Sequence, residues 1–124
     1  MHVISQIAAI LAGLVHIFIF YLEAVAFSKP STYRRFMITD EKEAGTIAPW
    51  AFNQGFYNLF LAIGTIAGSI IWMTGRIHSG RSLVGFGCAC MLAAALVLIG
   101  TDRRMTRAAV MQGLFPLVAL ATLW

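Results

Sequence analysis

Residues 47–73, IAPWAFNQGFYNLFLAIGTIAGSIIWM, form a long apolar run that carries a compact polar group near its start. The polar group is the hexamer Asn53-Gln54-Gly55-Phe56-Tyr57-Asn58, and apolar sequence continues beyond it for about four helical turns. A run of this length can cross a lipid bilayer as a helix. Polar side chains are costly in hydrocarbon and usually mark a functional position. The stretch therefore predicts a membrane helix that contains part of a site.

The composition of the whole chain supports a membrane environment. The 124 residues are 60% hydrophobic and 11% charged, with a mean hydropathy of +0.82. Soluble domains carry about 25% charged residues, so we expect one membrane domain over residues 1–124 with the lipid bilayer as its surroundings. The net charge of +4 does not indicate nucleic-acid binding, because the basic residues lie in short segments between apolar runs.

Four apolar runs predict four membrane spans, at about residues 3–27, 47–73, 83–100 and 108–124. The three connections are short, so consecutive helices should lie side by side in opposite directions. Asp40 followed by Glu43 predicts a cap at the start of the second helix. The expected fold is all-α, an integral membrane four-helix antiparallel transmembrane bundle.

The distribution of Lys and Arg predicts the orientation of this bundle. The first connection contains four basic residues (Lys29, Arg34, Arg35 and Lys42), and the third contains three (Arg103, Arg104 and Arg107). The second contains two (Arg76 and Arg81). Positively charged connections tend to stay in the cytoplasm. We therefore expect a multi-pass protein of the cell membrane, such as a bacterial inner membrane, with both termini outside (periplasmic or extracellular).

On this topology the polar residues of the spans fall in the cytoplasmic third of the bilayer. Glu23 lies in about the last turn of the first span, and the hexamer lies in the early turns of the second. Asp102 closes the third span, and Gln112 lies in the second turn of the fourth. His16 precedes Glu23 by seven residues, on nearly the same helix face and about 10 Å deeper. Four side chains of the hexamer span an arc of about 140° (Asn53, Gln54, Tyr57 and Asn58). Since that arc is too wide to face lipid, we expect it to turn into the bundle.

Each of these residues also has a purely structural interpretation. Amides in membrane helices often hydrogen-bond to a neighbouring helix, for about 0.6 kcal/mol each. His16 can be a core histidine, and Asp102 can cap a helix or pair with a nearby arginine. Glu23 is harder to explain in this way, because a carboxyl group in a span must be paired, hydrated or protonated and no Lys or Arg lies within any span.

The hexamer Asn53–Asn58 with the following Leu59-Phe60-Leu61-Ala62 resembles the signature of a family of small bacterial and fungal membrane proteins, the domain of unknown function 1304. The spacing from His16 to Glu23, the length and the four-span layout are similar to that family over essentially the whole chain. The resemblance implies no established activity. It implies shared polar positions at six residues, which the depth argument also selects (His16, Glu23, Asn53, Gln54, Tyr57 and Asn58).

One interpretation of these residues is an enzyme that acts on a small lipophilic molecule. Glu23, His16 and Tyr57 would be catalytic, with a protonated Glu23 as general acid and His16 or a second carboxylate as base. The other polar residues would bind the substrate (Asn53, Gln54, Asn58, Asp102 and Gln112). Epoxide opening, double-bond isomerisation or cyclisation would suit such a pocket. We expect no cofactor and no metal, because His16 and Glu23 supply two ligands at most.

The alternative is a small transporter, a proton-coupled permease or an accessory membrane subunit. Four spans are few for a transporter, so a homodimer would be needed, and the small-residue pairs Gly64/Gly68 and Gly85/Gly87 would serve it or pack the monomer. An enzyme should have an enclosed pocket around Glu23 within one protomer. A transporter should have a path open to both sides or a polar seam between two protomers.

Overall fold

The apolar runs form four long helices in the computed structural model, which describes residues 2–124. Helix α1 spans His2–Phe20 and continues as a π-helical turn, Tyr21–Val25. A short helix α2 (Pro30–Tyr33) is followed by α3 (Glu41–Met73), α4 (Ile77–Thr101) and α5 (Thr106–Ala121). Two 3₁₀ turns, Arg34–Phe36 and Arg103–Met105, precede α3 and α5. The described residues contain no strand, so the all-α prediction is confirmed.

Three of these helices are long and apolar enough to cross a membrane. They are His2–Val25, Glu41–Met73 and Ile77–Thr101. The fourth, α5, has 16 residues and falls short of that length. Large apolar side chains on all four helices point outward, among them Phe18, Phe60, Phe86 and Val110. Such a surface requires lipid rather than water around it, as expected for an integral membrane protein.

The four long helices form a ring in which each has two neighbours. Helix α1 packs against α3 and α5, and α4 packs against the same two helices. Consecutive long helices are joined by connections of a few residues at Thr74–Arg76 and Asp102–Met105 and by a longer one through α2. Neighbours in the ring therefore run in opposite directions, and the architecture is the antiparallel helical bundle that the sequence predicts.

Helices α3 and α4 extend beyond the apolar runs that nucleate them. Helix α3 begins at Glu41 because Asp40 caps it, with its Oδ1 accepting a hydrogen bond from the Lys42 N–H at 3.0 Å. Helix α4 begins at Ile77 and includes the polar residues His78 and Ser82 in its first turns. Charged and polar first turns are stable where a helix emerges into headgroups or water. The helices are for this reason longer than the predicted spans.

One half of the bundle, which we call the packed half, is built mostly from small residues that let the backbones approach. Its buried residues come from all four helices (Ser5, Ala8, Ala9 and Ala12; Ser69 and Trp72; Gly80, Val84, Gly87 and Cys88; Ala119). Ser5 Oγ donates to Ala119 O at 2.8 Å, and Ser69 Oγ donates to Gln6 O at 2.9 Å. Close backbone approach of this kind stabilises helix pairs in lipid.

Glycines of the packed half show how close this approach is. Gly80 lies directly against the backbone of Trp72, and Gly87 lies against the Thr65 hydroxyl, so that neither position has room for a Cβ atom. Gly68 packs on Leu83 and Val84 of α4 in the same way. At Gly64, in contrast, a Cβ atom would meet no neighbouring atom within 4 Å. The small residues Gly68 and Gly87 thus pack helices within the protomer.

The connection between α1 and α3 is an ordered cap over the opposite end of the bundle. Phe27, Tyr33 and Ile38 are buried together with Ala44 and Ala51 of α3. Pro30 occupies the first position of α2, where its missing N–H costs no helical hydrogen bond. Met37 ends the following 3₁₀ turn in the left-handed region, at φ 63°. The chain reverses there and brings the 3₁₀ turn over the space between the long helices.

Candidate functional site

A cavity of about 870 Å³ lies between the four long helices at the end that the α1–α3 connection covers. We call it the main cavity. Its wall is largely apolar, with residues from every long helix (Ile19 and Leu22 of α1; Leu61 of α3; Ala94, Val97 and Leu98 of α4; Ala108 and Met111 of α5). Its volume is within the range of roughly 300–1,000 Å³ that is usual for small-molecule sites. The bundle is thus closely packed at one end and hollow at the other.

Glu23 and Asn58 form a hydrogen-bonded pair in the wall of the main cavity. Asn58 Nδ2 donates to Glu23 Oε1 at 2.5 Å and also lies 3.3 Å from Gln54 O. Asn58 is buried, at 8% exposure, whereas Glu23 is half-buried. The pair joins the first and third helices and gives the carboxyl group a donor within an apolar wall, which reduces the cost of its burial.

Two local features of the backbone bring the pair together. Glu23 lies in the π turn Tyr21–Val25, which is closed by a hydrogen bond of 2.9 Å from the Ala26 N–H to Tyr21 O. Gly55 faces this turn on α3, and a Cβ atom there would lie 3.0 Å from Ala24 Cβ and 3.2 Å from Glu23 Cβ. π turns occur often at functional sites. The sequence pattern predicts an uninterrupted α-helix here and gives no sign of the wider turn.

Other polar residues predicted for the site line the same cavity. Gln54 and Tyr57 lie on α3 beside Asn58, and half-buried Gln112 lies on α5. Tyr57 is 61% exposed, so the cavity opens outward beside it. Asn53 lines a second cavity of about 490 Å³, next to Trp50 under the α1–α3 connection. Glu23, Gln54, Phe36, Met37 and Arg104 line both cavities, which are therefore neighbours.

The polar arc of α3 is only partly turned inward. Asn58 is buried, but Asn53, Gln54 and Tyr57 are exposed. An arc of about 140° is wider than the contact between two helices, so its edges lie outside that contact. These edges face the cavities and their openings. The expectation that all four side chains enter the bundle holds in full for Asn58 alone.

His16 lies outside the main cavity, although the sequence analysis grouped it with Glu23. It is fully buried, and its Nδ1 is 2.8 Å from Ala12 O while its Nε2 has no partner among the described residues. The cavity wall on α1 ends at Ile19, one turn nearer to Glu23. Next to His16 the helices are close, because Ile66 of α3 fills the space beside Gly13. The structure therefore does not bring His16 and Glu23 into one site.

Asp102 also lies outside the main cavity. Its carboxylate accepts hydrogen bonds from the backbone N–H of Arg104 at 3.0 Å and from the Arg104 guanidinium at 3.0 and 2.9 Å. These hydrogen bonds, first from the side chain and then from the backbone of Arg104, hold the pKa of Asp102 below its usual value. Asp102 thus caps the turn before α5, which is the structural interpretation that the sequence left open for it.

Three arginines that the sequence analysis used only for topology line the main cavity. Arg35 comes from the 3₁₀ turn after α2, Arg104 from the turn before α5, and Arg107 from the first turn of α5. The guanidinium carbon of Arg35 lies 5.8 Å from the centre of the Phe18 ring. The sequence places these arginines next to the ends of spans, and connections fold over the end of a bundle. That position could have indicated that arginines line the cavity. Which of the arginines line the cavity depends on the local turns, which the sequence pattern does not predict.

The polar groups that line the main cavity are one carboxyl group, a phenol, three amides, the Thr101 hydroxyl and three guanidinium groups. Among residues 2–124 no cluster of three or more His, Cys, Asp or Glu side chains could hold a metal ion. Cys88 is buried in the packed half and Cys90 is half-buried, both as free thiols. The arrangement can bind an apolar molecule, hydrogen-bond its polar atoms and exchange a proton with it at Glu23.

Comparison with known proteins gives a family and no characterised relative. No curated protein and no solved structure matches the chain. One family model matches residues 10–124 and so includes every residue that lines the main cavity. The chain belongs to this family, described as protein of unknown function (DUF1304).

Proposed function

We propose that this integral membrane protein binds a small lipophilic molecule in the main cavity and exchanges a proton with it through Glu23. The observation that carries the proposal is a carboxyl group paired with Asn58 in the wall of a largely apolar cavity within one protomer. An apolar pocket with a few convergent polar groups is the usual form of a small-molecule site.

The position of Glu23 favours chemistry that needs a single acid–base group. Asn58 occupies one carboxyl oxygen, and among the described residues the second oxygen has no hydrogen-bond partner. His16 is separated from the cavity, and amides such as Gln54 and Gln112 do not transfer protons at neutral pH. A double-bond isomerisation fits better than epoxide opening or cyclisation, because one carboxylate removes a proton from one carbon of the substrate and returns a proton to another.

Tyr57 and the amides have a binding role in this proposal. Gln54, Tyr57 and Gln112 line the cavity from α3 and α5 and offer donors and acceptors to a polar atom of the ligand. Such contacts would fix which part of the molecule faces Glu23, and correct positioning contributes a large part of many rate enhancements. The rest of the wall would hold the molecule by apolar contact.

Transport is the weaker candidate because the main cavity meets the packed half. The contacts between Ser5 and Ala119, Gly80 and Trp72, and Gly87 and Thr65 occupy the space between the helices there. A path to the other side would need these close contacts to separate. We further propose that the cavity end faces the cytoplasm and both termini face outward, which a reporter fused to the C-terminus would test by its activity on one side of the membrane.

Solvent deuterium provides a test that does not require the substrate to be known. The protein in lipid nanodiscs is incubated in D₂O with a lipid extract of its host, and mass spectrometry is used to find molecules that gain deuterium. We expect the wild-type protein to label a small set of lipophilic molecules, and Glu23→Gln to label none of them while it keeps its fold. Glu41→Gln is the matched control, because Glu41 is exposed in the first turn of α3 and lies outside both cavities.

Labelling that is equal in the wild-type protein and Glu23→Gln would contradict proton transfer at Glu23. Loss of labelling in Glu41→Gln as well would point to damage of the fold rather than to the site. Circular dichroism and size-exclusion chromatography of both variants separate these outcomes.

A further inference from the structure

We infer that the ligand of the main cavity is an amphiphile with an anionic head group, a carboxylate or phosphate, held by Arg35 and Arg107. This inference rests on the proposed function, because it assumes that the main cavity binds a lipophilic molecule. The inference adds the chemical class of that molecule and its orientation in the cavity. The head would lie at the covered end of the bundle, and the chain would extend along the apolar wall towards the packed half.

The first observation is that two of the three cavity arginines have no acidic partner. The Arg104 guanidinium is held by Asp102, with Nη2 2.9 Å from Oδ2. Within residues 2–124 this is the one ion pair, so Arg35 and Arg107 carry uncompensated charges. Both nevertheless line a cavity with a mostly apolar wall. An anion next to Arg35 and Arg107, at the covered end of the cavity, would compensate these charges.

The second observation is that only some of the exposed arginines in these segments line the cavity. Arg34 and Arg103 are exposed, as are their neighbours Arg35 and Arg104, but they line neither cavity. Charge needed only to keep these connections on the cytoplasmic side would not require an arginine to line a cavity. Arg35 and Arg107 come from different segments, the turn after α2 and the start of α5, and meet at one cavity.

The third observation is the division of the cavity into a charged end and an apolar remainder. Arginine binds carboxylate and phosphate oxygens with two parallel N–H donors, which suits a planar or tetrahedral anion. Ile19, Leu22, Leu61 and Leu98 continue the wall beyond the polar residues and would contact a hydrocarbon chain.

Two sources could supply such a ligand, a free single-chain amphiphile or a phospholipid of the surrounding bilayer. Both present an oxyanion next to hydrocarbon, which is the chemistry the arginines recognise. A test must therefore vary the head group of the probe and the lipid composition separately.

The probe is a fatty acid that carries a photoreactive diazirine in its chain, compared with its methyl ester. Each is added to the protein in nanodiscs of phosphatidylcholine at alkaline pH, where the carboxyl group is ionised. Illumination followed by peptide mapping gives the labelled positions, and titration gives the half-saturating concentration. We expect the acid to label peptides of the cavity wall at lower concentration than the ester.

The variants are two charge-matched pairs. In Arg35→Gln/Arg107→Gln we expect the half-saturating concentration of the acid to rise about tenfold or more, which corresponds to the loss of hydrogen bonds to a charged group. In Arg34→Gln/Arg103→Gln, which removes the same net charge from the same two connections, we expect a change of less than about twofold. Neither pair should alter labelling by the ester.

An equal effect of both pairs on the acid would overturn the inference, because attraction to the general surface charge would explain it. Equal affinity for acid and ester in the wild-type protein would overturn it as well. If the Arg35/Arg107 pair has no effect while Glu23-dependent deuterium labelling persists, the head-group inference fails and the proposed function stands. Leu61→Trp fills the cavity and should abolish deuterium labelling. If this variant keeps the labelling and neither probe labels the cavity wall, the proposed function fails.

Nanodiscs that contain phosphatidylglycerol then identify the source. Competition by this lipid against the acid assigns the site to an anionic bilayer lipid. Undiminished labelling by the acid assigns it to a free amphiphile. Both results support an anionic head group at Arg35 and Arg107.

Discussion

The packed half and the main cavity are formed by the same four helices, and they differ in the size and polarity of the side chains that face inward. On α1 the packed half presents Ala8, Ala9 and Ala12, whereas the cavity end presents Leu22 and Glu23. Small residues allow the backbones to touch, and larger residues hold them apart. In lipid, the burial of apolar side chains gives little driving force between helices. The size of the inward-facing side chains therefore decides where the helices pack closely and where they leave a cavity.

The largest effect is expected at Gly80 in the packed half. Gly80→Ala places a methyl group on the backbone of Trp72, which has no alternative position, and should reduce the free energy of unfolding by about 1–3 kcal/mol. Gly64→Ala is the matched control, because a methyl group there meets open space and improves helix propensity by up to about 1 kcal/mol. Thermal or detergent-induced unfolding followed by circular dichroism measures both. Equal effects of the two substitutions would contradict the close approach of α3 and α4.

A second pair of substitutions compares the two halves directly by adding the same side chain to each. Ala9 is fully buried in the packed half, and Ala108 lines the main cavity. Ala9→Leu should destabilise the protein by about 1–3 kcal/mol because the site is full. Ala108→Leu should change the free energy of unfolding by less than about 0.5 kcal/mol and reduce binding of a ligand to the cavity.

Both effects are measurable by unfolding and by photolabelling with the diazirine probe. A large loss of stability in Ala108→Leu would mean that the cavity end has no free volume, which would contradict the comparison.

The pair of Glu23 and Asn58 should contribute a smaller amount to stability. A double-mutant cycle of Glu23→Gln and Asn58→Leu is expected to give a coupling energy of about 0.6 kcal/mol and at most about 1.7 kcal/mol, the range measured for hydrogen bonds between membrane helices. Gln54→Leu serves as the control, because Gln54 lines the cavity and its side chain has no bond to Glu23. Equal coupling of Glu23 to Gln54 and to Asn58 would contradict the observed geometry.

The smallest effect is expected at Asp102, outside both regions. Its pKa is lowered in the folded protein by hydrogen bonds from Arg104, so the carboxylate contributes stability above the pKa of the unfolded chain. That contribution is lost as the pH falls through the folded pKa, below about pH 4. Asp102→Asn should remove this part of the acid dependence of the melting temperature and leave Glu23-dependent deuterium labelling unchanged. Loss of labelling would instead return Asp102 to the site.

The fold could be predicted from the sequence because lipid imposes few solutions on it. Apolar runs such as residues 47–73 must be helices in a bilayer, and short connections fix their neighbours. The meeting of Glu23 and Asn58 followed from the same reasoning, because each is costly alone in hydrocarbon. The cap at Asp40 could be predicted because its side chain accepts a hydrogen bond from a backbone N–H only two residues away.

The rest of the site depended on details that no residue pattern encodes. The limit of the cavity at Ile19, which excludes His16, follows from how Gly13 and Ile66 pack at the boundary between the two halves. Arg35 lines the cavity from the 3₁₀ turn that ends at Met37, a left-handed residue that is not a glycine. Both are consequences of tertiary packing, which periodicity and hydropathy do not contain.

The π turn at Tyr21–Val25 makes the direction of the Glu23 side chain depend on the choice of one backbone acceptor. The Ala26 N–H bonds to Tyr21 O, five residues back, where an α-helix would use Leu22 O. The wider turn therefore sets the rotation of Glu23 about the helix axis, and with it the side of the helix on which the carboxyl group meets Asn58.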